Sequence, residues 1–265
     1  MDIRRVALCS ISTNDKAMEH IESAKRIVNA KGIECFSLFA EDGCDEHADL
    51  IIALGGDGTI LRSKAFSRRC GAPVLGVNIG RVGFLSECGI DGLADALDAI
   101  MRDTHTIERN MMLDCMLPDG SEQQCANDFI VYKPNLGTIC HFEILMNDLS
   151  YGDIFGDGVV VCTPLGSTGY SLSAGGAVIS TAVRAIGVTP ICPHSIGARH
   201  FVAPADEASA IAIRMITAGI LTCDGICERS LLPGDVISIT PSVESFDLVR
   251  LSARSLYGTI RSKLQ

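Results

Sequence analysis

The feature that most limits the fold is a change of texture near residue 108. Before it, short apolar runs alternate with segments of helical period. "IRRVALC" (3–9), "IECFSLF" (33–39), "LIIAL" (50–54) and "PVLGVNIG" (73–80) read as strands. "NDKAMEHIESAKRIVNAKG" (14–32), "TILRSKAFSRR" (59–69) and "DGLADALDAIMRD" (91–103) read as helices, the first with Met18, Ile21, Ala24 and Val28 on one face. That alternation implies parallel βαβ units, a sheet covered on both faces and a Rossmann-like α/β domain. After residue 108 the segments are short and β-rich: "MMLDCML", "CANDFIVYK", "CHFEILMN", "GVVVCTP", "AIAIRMI" and "DVISIT". Turn signals such as "LPDG", "MNDLSYGD" and "LPGD" separate them. The expectation is an α/β domain over 1–108 and a mainly β domain over 109–246. "SLSAGGAVI" (171–179) suggests a helix, and "LVRLSARSLYGTIRSKLQ" (248–265) a strand followed by a terminal helix.

Composition narrows the function. The 265 residues carry a net charge of −10, so a general nucleic-acid footprint, which needs clustered cations, is not expected. Backbone amides and a few local cations still suit a small anionic ligand. The 12 cysteines include no C-x-x-C, and most lie in apolar runs, as buried thiols of a reducing compartment do. No run is long and apolar enough for a membrane span, and the amino terminus lacks the apolar core of a signal peptide. A cytoplasmic protein is expected.

Within the α/β domain, "LIIALGGDGTILRS" (50–63) ends a strand on two glycines, an aspartate and a third glycine, then enters a helix. Ligands of open α/β sheets bind at such carboxyl ends. Glycine lets a backbone approach phosphate closely, and the amides of the following helix attract it. The loop is neither a Walker loop nor G-x-G-x-x-G, and it has no lysine. Asp57 beside phosphate needs a proton or cation between them, so it either accepts a proton from an attacking hydroxyl or helps place Mg²⁺. A plain helix N-cap is the structural alternative.

The loop resembles the "GGDGT" motif shared by NAD kinases, diacylglycerol kinases and sphingosine kinases. Four later stretches resemble NAD kinases in particular, in the same order along the chain. These are "LGVNIGRVGFLSE" (75–87), "AND" (126–128), "GDGVVVCTPLGSTGYSLSAGGAVIS" (156–180) and "TPICPHSI" (189–196). The resemblance implies transfer of a phosphoryl group from ATP or polyphosphate to the 2′-hydroxyl of the adenosine ribose of NAD, giving NADP. It implies Mg²⁺ or another divalent cation, and a homodimer or homotetramer. It also implies a C-terminal β-sandwich, with residues 247–265 returning to the first domain.

Carried over by motif, Asp57 is the acid that activates the hydroxyl. Gly55, Gly56, Gly58 and Thr59 form the phosphate loop. Asn127 and Asp128 hold the ribose and adenine region, Thr168, Gly169, Tyr170 and Ser173 surround the adenine, and Asp157 contacts the nicotinamide end. No residue is singled out as a metal ligand. The chain departs from the pattern twice: Asp128 stands for a glutamate, and Phe155 for a basic residue that Lys133, Arg199 or His200 would have to replace. His194 is expected to be a hydrogen-bonded structural residue. A lipid kinase would share "GGDGT" but need an apolar mouth. A sugar kinase of the phosphofructokinase type would share the loop alone. A non-catalytic dinucleotide sensor would have no use for Asp57.

Overall fold

The computed structural model describes residues 1–11, 13–39, 46–80, 83–195 and 197–252, without the Cys227 side chain. The expected terminal helix in 253–265 lies outside these residues, as do most of the acidic loop after residue 39 and Arg81, Val82 and Ile196 of the quoted motifs. The chain divides into two units, Met1–Arg109 with Phe246–Gln265, and Asn110–Ser245. Among the described residues no helix is long and apolar enough to cross a membrane.

The first unit runs β1 (Arg5–Ser10), α1 (Asp15–Ala30), β2 (Glu34–Phe39), β3 (Leu50–Leu54), α2 (Asp57–Arg62), α3 (Lys64–Cys70), β4 (Val74–Asn78), β5 (Cys88–Gly89) and α4 (Leu93–Met101). Its strands pair in parallel in the order β2-β1-β3-β4. Ile21, Ala24 and Val28 of α1 and Leu93, Leu97 and Ile100 of α4 pack on Leu50, Ile52 and Leu54 of β3. Ile51 and Ala53, which point to the other face, are fully buried as well. Burial on both faces is why β3 is an unbroken apolar run.

Two details differ from the sequence expectation here. The buried stripe of α1 begins at Ala17, and Met18 lies at the surface, because the 17-21-24-28 spacing follows the helical period more closely. The segment read as one helix is two, because the buried Ser63 hydroxyl donates to the Ile60 carbonyl (2.6 Å) and breaks the run.

The second unit contains β6 (Thr106–Met116), which enters from the first unit, then β7 (Glu122–Cys125), β8 (Asp128–Tyr132), β9 (Cys140–Met146), β10 (Leu149–Gly156), β11 (Gly158–Cys162), the short helix α5 (Tyr170–Ser173), β12 (Ala185–Ile191), β13 (Phe201–Pro204), β14 (Ile211–Met215), β15 (Gly219–Cys223), β16 (Cys227–Leu231) and β17 (Val236–Arg250). Residues 236–245 of β17 belong to this unit and 246–250 to the first, where Leu248 pairs in parallel with Val74.

One antiparallel sheet has the order β13-β12-β11-β8-β15-β16, and a second runs β10-β9-β14 to the start of β17. A single apolar cluster takes Phe129, Val131, Val159, Val161 and Val188 from the former and Phe142, Ile144, Ile211 and Ile213 from the latter. The helix expected over 171–179 is only the turn α5, since Gly175 takes φ 92° and ends it.

Candidate active site

In the first unit the glycine loop stands between β3 and α2. Gly56 is the N-cap of α2 and makes no side-chain cap bond, so Asp57 is the first helical residue and not the cap. Its carboxylate turns instead to a neighbouring segment. Phe84 N–H donates to Asp57 Oδ2 (2.8 Å) and Leu85 N–H to Oδ1 (2.9 Å). One amide thus holds each oxygen, and further lone pairs remain for other donors.

The approach is close: a Cβ added at Gly83 would lie 2.0 Å from Asp57 Oδ1. Gly56 and Gly58 are exposed with open space beside them, as a loop offering backbone to a ligand requires. Thr59 is buried, with its hydroxyl under Gly55. It supports the loop from inside. Arg62, Arg68 and Arg69 are exposed on the helices that follow.

In the second unit Asp128 lies on the outer face of the sheet containing β8 with Gly169 close to it, and Asp157 and Tyr170 line a cavity, which Asn127, Asp128, Thr168 and Ser173 do not. Alternation along β8 sends Phe129 and Val131 into the core and leaves Asp128, Ile130 and Tyr132 on the opposite side. The segment carrying Asn127 and Asp128 is fixed twice. Asp224, in the tight turn after β15 with φ 49°, accepts the amides of Ala126, Asn127 and Asp128 at 3.0, 2.8 and 3.2 Å. From the other side Thr163 N–H donates to Asn127 O (2.8 Å) and Thr163 Oγ1 to Ala126 O (2.6 Å). Gly166 is pressed on the same backbone, and a Cβ there would lie 2.1 Å from Asn127 O.

Asn127 Oδ1 is buried with no hydrogen-bond partner among the described residues, an acceptor that a ligand donor would satisfy. Burial, with the Asp224 carboxylate nearby, pushes the Asp128 carboxyl up to about 7.

Along the same face lies a cavity of about 450 Å³, lined by Ile130, Tyr132, Lys133, Asp157, Tyr170 and Thr222 among others. Tyr170 is 46% exposed, which rules out a role in the core and leaves its ring as a wall of the cavity. Lys133 Nζ pairs with Asp157 Oδ1 at 2.6 Å. Lys133 is therefore engaged by the acid beside it. Arg199 and His200 are exposed.

Phe155, at the basic residue's position, stacks on His141 with ring centroids 3.8 Å apart. Ser173 is exposed, and Thr168 Oγ1 donates to Leu165 O (3.3 Å), so this hydroxyl closes a helical turn. Gly169, which follows it, sits over Asn127 and Asp128: a Cβ there would be 3.8 Å from Asn127 Nδ2 and 3.9 Å from Asp128 Oδ2. His194 departs from its expectation. The residue is exposed, and among the described residues its backbone amide alone is engaged, donating to Phe155 O (2.7 Å).

Sequence reasoning missed Asp224, Thr163 and Gly166. The Asp-Gly pair between two β segments was a readable hairpin signal, but nothing local shows that its carboxylate binds amides near residue 127. Among the described residues there is no cluster of three or more His, Cys, Asp or Glu arranged to hold a metal. The buried thiols Cys9 and Cys115 are pushed up to about 12 by desolvation, which keeps them protonated.

Residues 10–105 match the ATP-NAD kinase N-terminal domain, and residues 126–251 the ATP-NAD kinase C-terminal domain. The NAD kinase of Symbiobacterium thermophilum is 39% identical over 223 residues, covering 82% of this chain and 78% of that one. NAD kinase 2 of Trichormus variabilis is 36% identical over 226 residues, covering 84% and 74%. Two crystal structures, each 24% identical, share the fold. Yeast NADH kinase complexed with NADH has a TM-score of 0.85 and covers 100% of this chain and 88% of its own. An NAD kinase from Archaeoglobus fulgidus in complex with ATP has a TM-score of 0.79, covering 97% and 99%. With the glycine loop, the fixed Asn127 segment and the cavity already in place, these matches over most of its length show that the chain belongs to the NAD kinase family.

Proposed function

We propose that this chain transfers the γ-phosphoryl group of ATP to the 2′-hydroxyl of the adenosine ribose of NAD, giving NADP and ADP. The observation that carries the reading is the held carboxylate of Asp57. Anchored through one amide per oxygen, it keeps lone pairs free to take the hydroxyl proton. As the ribose oxygen bonds to phosphorus, the bond from phosphorus to the β–γ bridging oxygen breaks and ADP leaves. Positioning and charge neutralisation supply most of the acceleration in such a transfer.

The exposed backbone of Gly56 and Gly58, at the head of α2, is the natural cradle for donor phosphate. A lone carboxylate beside phosphate oxygens also fits the oxygen-rich donor set of Mg²⁺, which would be held by Asp57 and the nucleotide and would neutralise charge on the phosphates. Polyphosphate is the alternative donor.

The second unit supplies recognition. Asn127 Oδ1 lacks a partner among the described residues and suits a hydroxyl or amino donor of the adenosine, and the exposed Tyr170 ring suits stacking. Asp157 and Lys133 meet the remainder of the dinucleotide as a neutral pair. We read the first unit as Rossmann-like, the second as a β-sandwich with the domain limits expected above, and the active form as a cytoplasmic homo-oligomer. The cavity walls bear Lys133, Asp157 and Tyr132 beside Ile130, Pro134, Leu136 and Ile191, a mixed lining, so the choice of a dinucleotide over an acyl chain rests on the family match.

The test is product analysis. The chain incubated with NAD, Mg²⁺ and either ATP or polyphosphate should form NADP, detected with a dehydrogenase specific for it. Asp57→Asn should lower kcat by about 10²–10⁴-fold, the worth of a placed general base, while NAD binding survives. Absence of NADP with every donor, or an unchanged rate in Asp57→Asn, would reject the assignment.

A further inference from the structure

The amides that hold Asp57 come from a segment that is itself fixed by the last strand of the chain. Arg250, at the end of β17, is buried, and its guanidinium makes three contacts. Nη1 donates to the Leu85 carbonyl (3.1 Å) and to Glu87 Oε1 (2.9 Å), and Nε donates to Glu108 Oε2 (2.5 Å). The backbone adds to the lock, because Leu251 N–H donates to Glu87 Oε2 (3.0 Å). Glu87 N–H reaches Gly76 O on β4 (2.8 Å), and Gly83 N–H reaches Ser86 Oγ (3.2 Å). Residues 83–87 are therefore a short turn pinned to β4 at one end and to Arg250 at its centre. Leu85 is the shared residue: its carbonyl receives Arg250 and its amide serves Asp57 Oδ1.

A planar guanidinium suits this task. It offers several donors in fixed directions, so it can bind a carbonyl and two carboxylates at once, which the ammonium of lysine on its flexible stem matches poorly. The Glu87 carboxylate it neutralises is nearly inaccessible to water, with 3% of the side chain exposed. Nothing in the glycine-loop motif requires an arginine 193 positions downstream of Asp57. Only the return of the chain to the first unit brings it there.

From this geometry we infer that Arg250 is a positioning residue for the reaction: through Leu85 it sets the direction in which Asp57 presents its carboxylate. The inference rests on the reading of Asp57 as the base. Arg250 touches no reacting atom, and its effect passes through the 83–87 turn.

The experiment compares native protein, Arg250→Lys, Asp57→Asn and the double variant in the NADP-forming assay, with thermal melting as a check on folding. Arg250→Lys should lose about ten- to a hundredfold in kcat, the scale expected of a misplaced reacting group, with KM for NAD and ATP within threefold. In the Asp57→Asn background the same change should cost nothing further, because a residue acting through the acid has nothing left to act on. Amide hydrogen exchange should rise at residues 84–87 and stay unchanged in β1 and β3.

Should Arg250→Lys fold poorly, Arg250→Met combined with Glu87→Gln removes both buried charges together and should show the same kcat loss. A rate within twofold of native, an equal loss in the Asp57→Asn background, or unaltered exchange at 84–87 would each overturn the inference. So would failure of both replacements to fold, which would make Arg250 purely structural. The underlying reading fails differently: native protein makes no NADP, or Asp57→Asn keeps full rate.

Discussion

In the first unit a carboxylate is held by backbone amides, and in the second a carboxylate holds them. Asp57 accepts the amides of Phe84 and Leu85 and remains partly exposed beside the open glycine loop. Asp224 accepts the amides of residues 126–128, and what it presents is its neighbours, the side chains of Asn127 and Asp128. The same bond type serves opposite ends. In one region the acid, the working group on the proposed reading, has the backbone as its mount; in the other the acid is the mount. A carboxylate and two or three amides form a charge-assisted set stronger than neutral hydrogen bonds. Either partner can therefore be the fixed one, depending on which is anchored elsewhere. The 83–87 turn is anchored by β4 and Arg250, and Asp224 by its hairpin.

The contrast breaks most sharply at Gly83. An alanine there would place its Cβ 2.0 Å from Asp57 Oδ1, so the carboxylate must move or the turn must open. Gly83→Ala should lose about a hundredfold in kcat, the cost of displacing a reacting group by about an ångström. KM for NAD should hardly change. Steady-state kinetics separates the two, and a rise in KM with kcat preserved would show that the turn serves binding instead.

The corresponding change in the second unit should have the reverse signature. Asp224→Asn keeps the size of the side chain, and asparagine tolerates the φ of 49°. It replaces one acceptor oxygen with a donor facing backbone N–H groups. Stability should fall by about 2 kcal/mol, the usual cost of an unsatisfied buried donor. KM for NAD should rise about tenfold as the Asn127 segment loosens, with kcat within a fewfold of native. Denaturant melts and kinetics check both numbers. A loss confined to kcat would erase the distinction between the two clamps.

What the sequence showed of these regions depended on how local each signal is. The runs of β1, β3 and β4 and the glycine loop are contiguous, and their period and punctuation follow from burial on two faces and a turn at a strand end. Asp57 and Tyr170 could be singled out because each lies within a motif, and Tyr170 stands at the surface on the cavity wall. The mounts were not legible. Arg250, Asp224 and Thr163 act on backbone atoms of residues distant in sequence, and a backbone amide carries no residue identity to betray its partner. Phe155 shows the converse. Its place in the motif suggested a missing cation, but packing makes it a stacking partner of His141. The split at Ser63 and the early end of α5 turn on single hydrogen bonds and one backbone angle, which periodicity does not report.

The smallest expected effect concerns the acid that the second clamp leaves behind. Asp128 is buried beside Asp224, and its carboxyl is pushed up to about 7 from an ordinary value of 3.8. Between about pH 4 and 7 the native protein retains a proton that the unfolded chain has lost. Native stability therefore falls as pH rises through that window, and the full penalty is present above 7. The dependence is traced to Asp128 by removing its titrating group. Asp128→Asn has no proton to lose. Relative to native protein it should gain about 1 kcal/mol between pH 6 and pH 7, measured by urea melts at each pH. Parallel stability curves for the two proteins would mean that water or a cation reaches Asp128 and relieves it. The second clamp would then enclose a solvated site rather than a dry one, and the orphaned Asn127 acceptor would be satisfied by that same water.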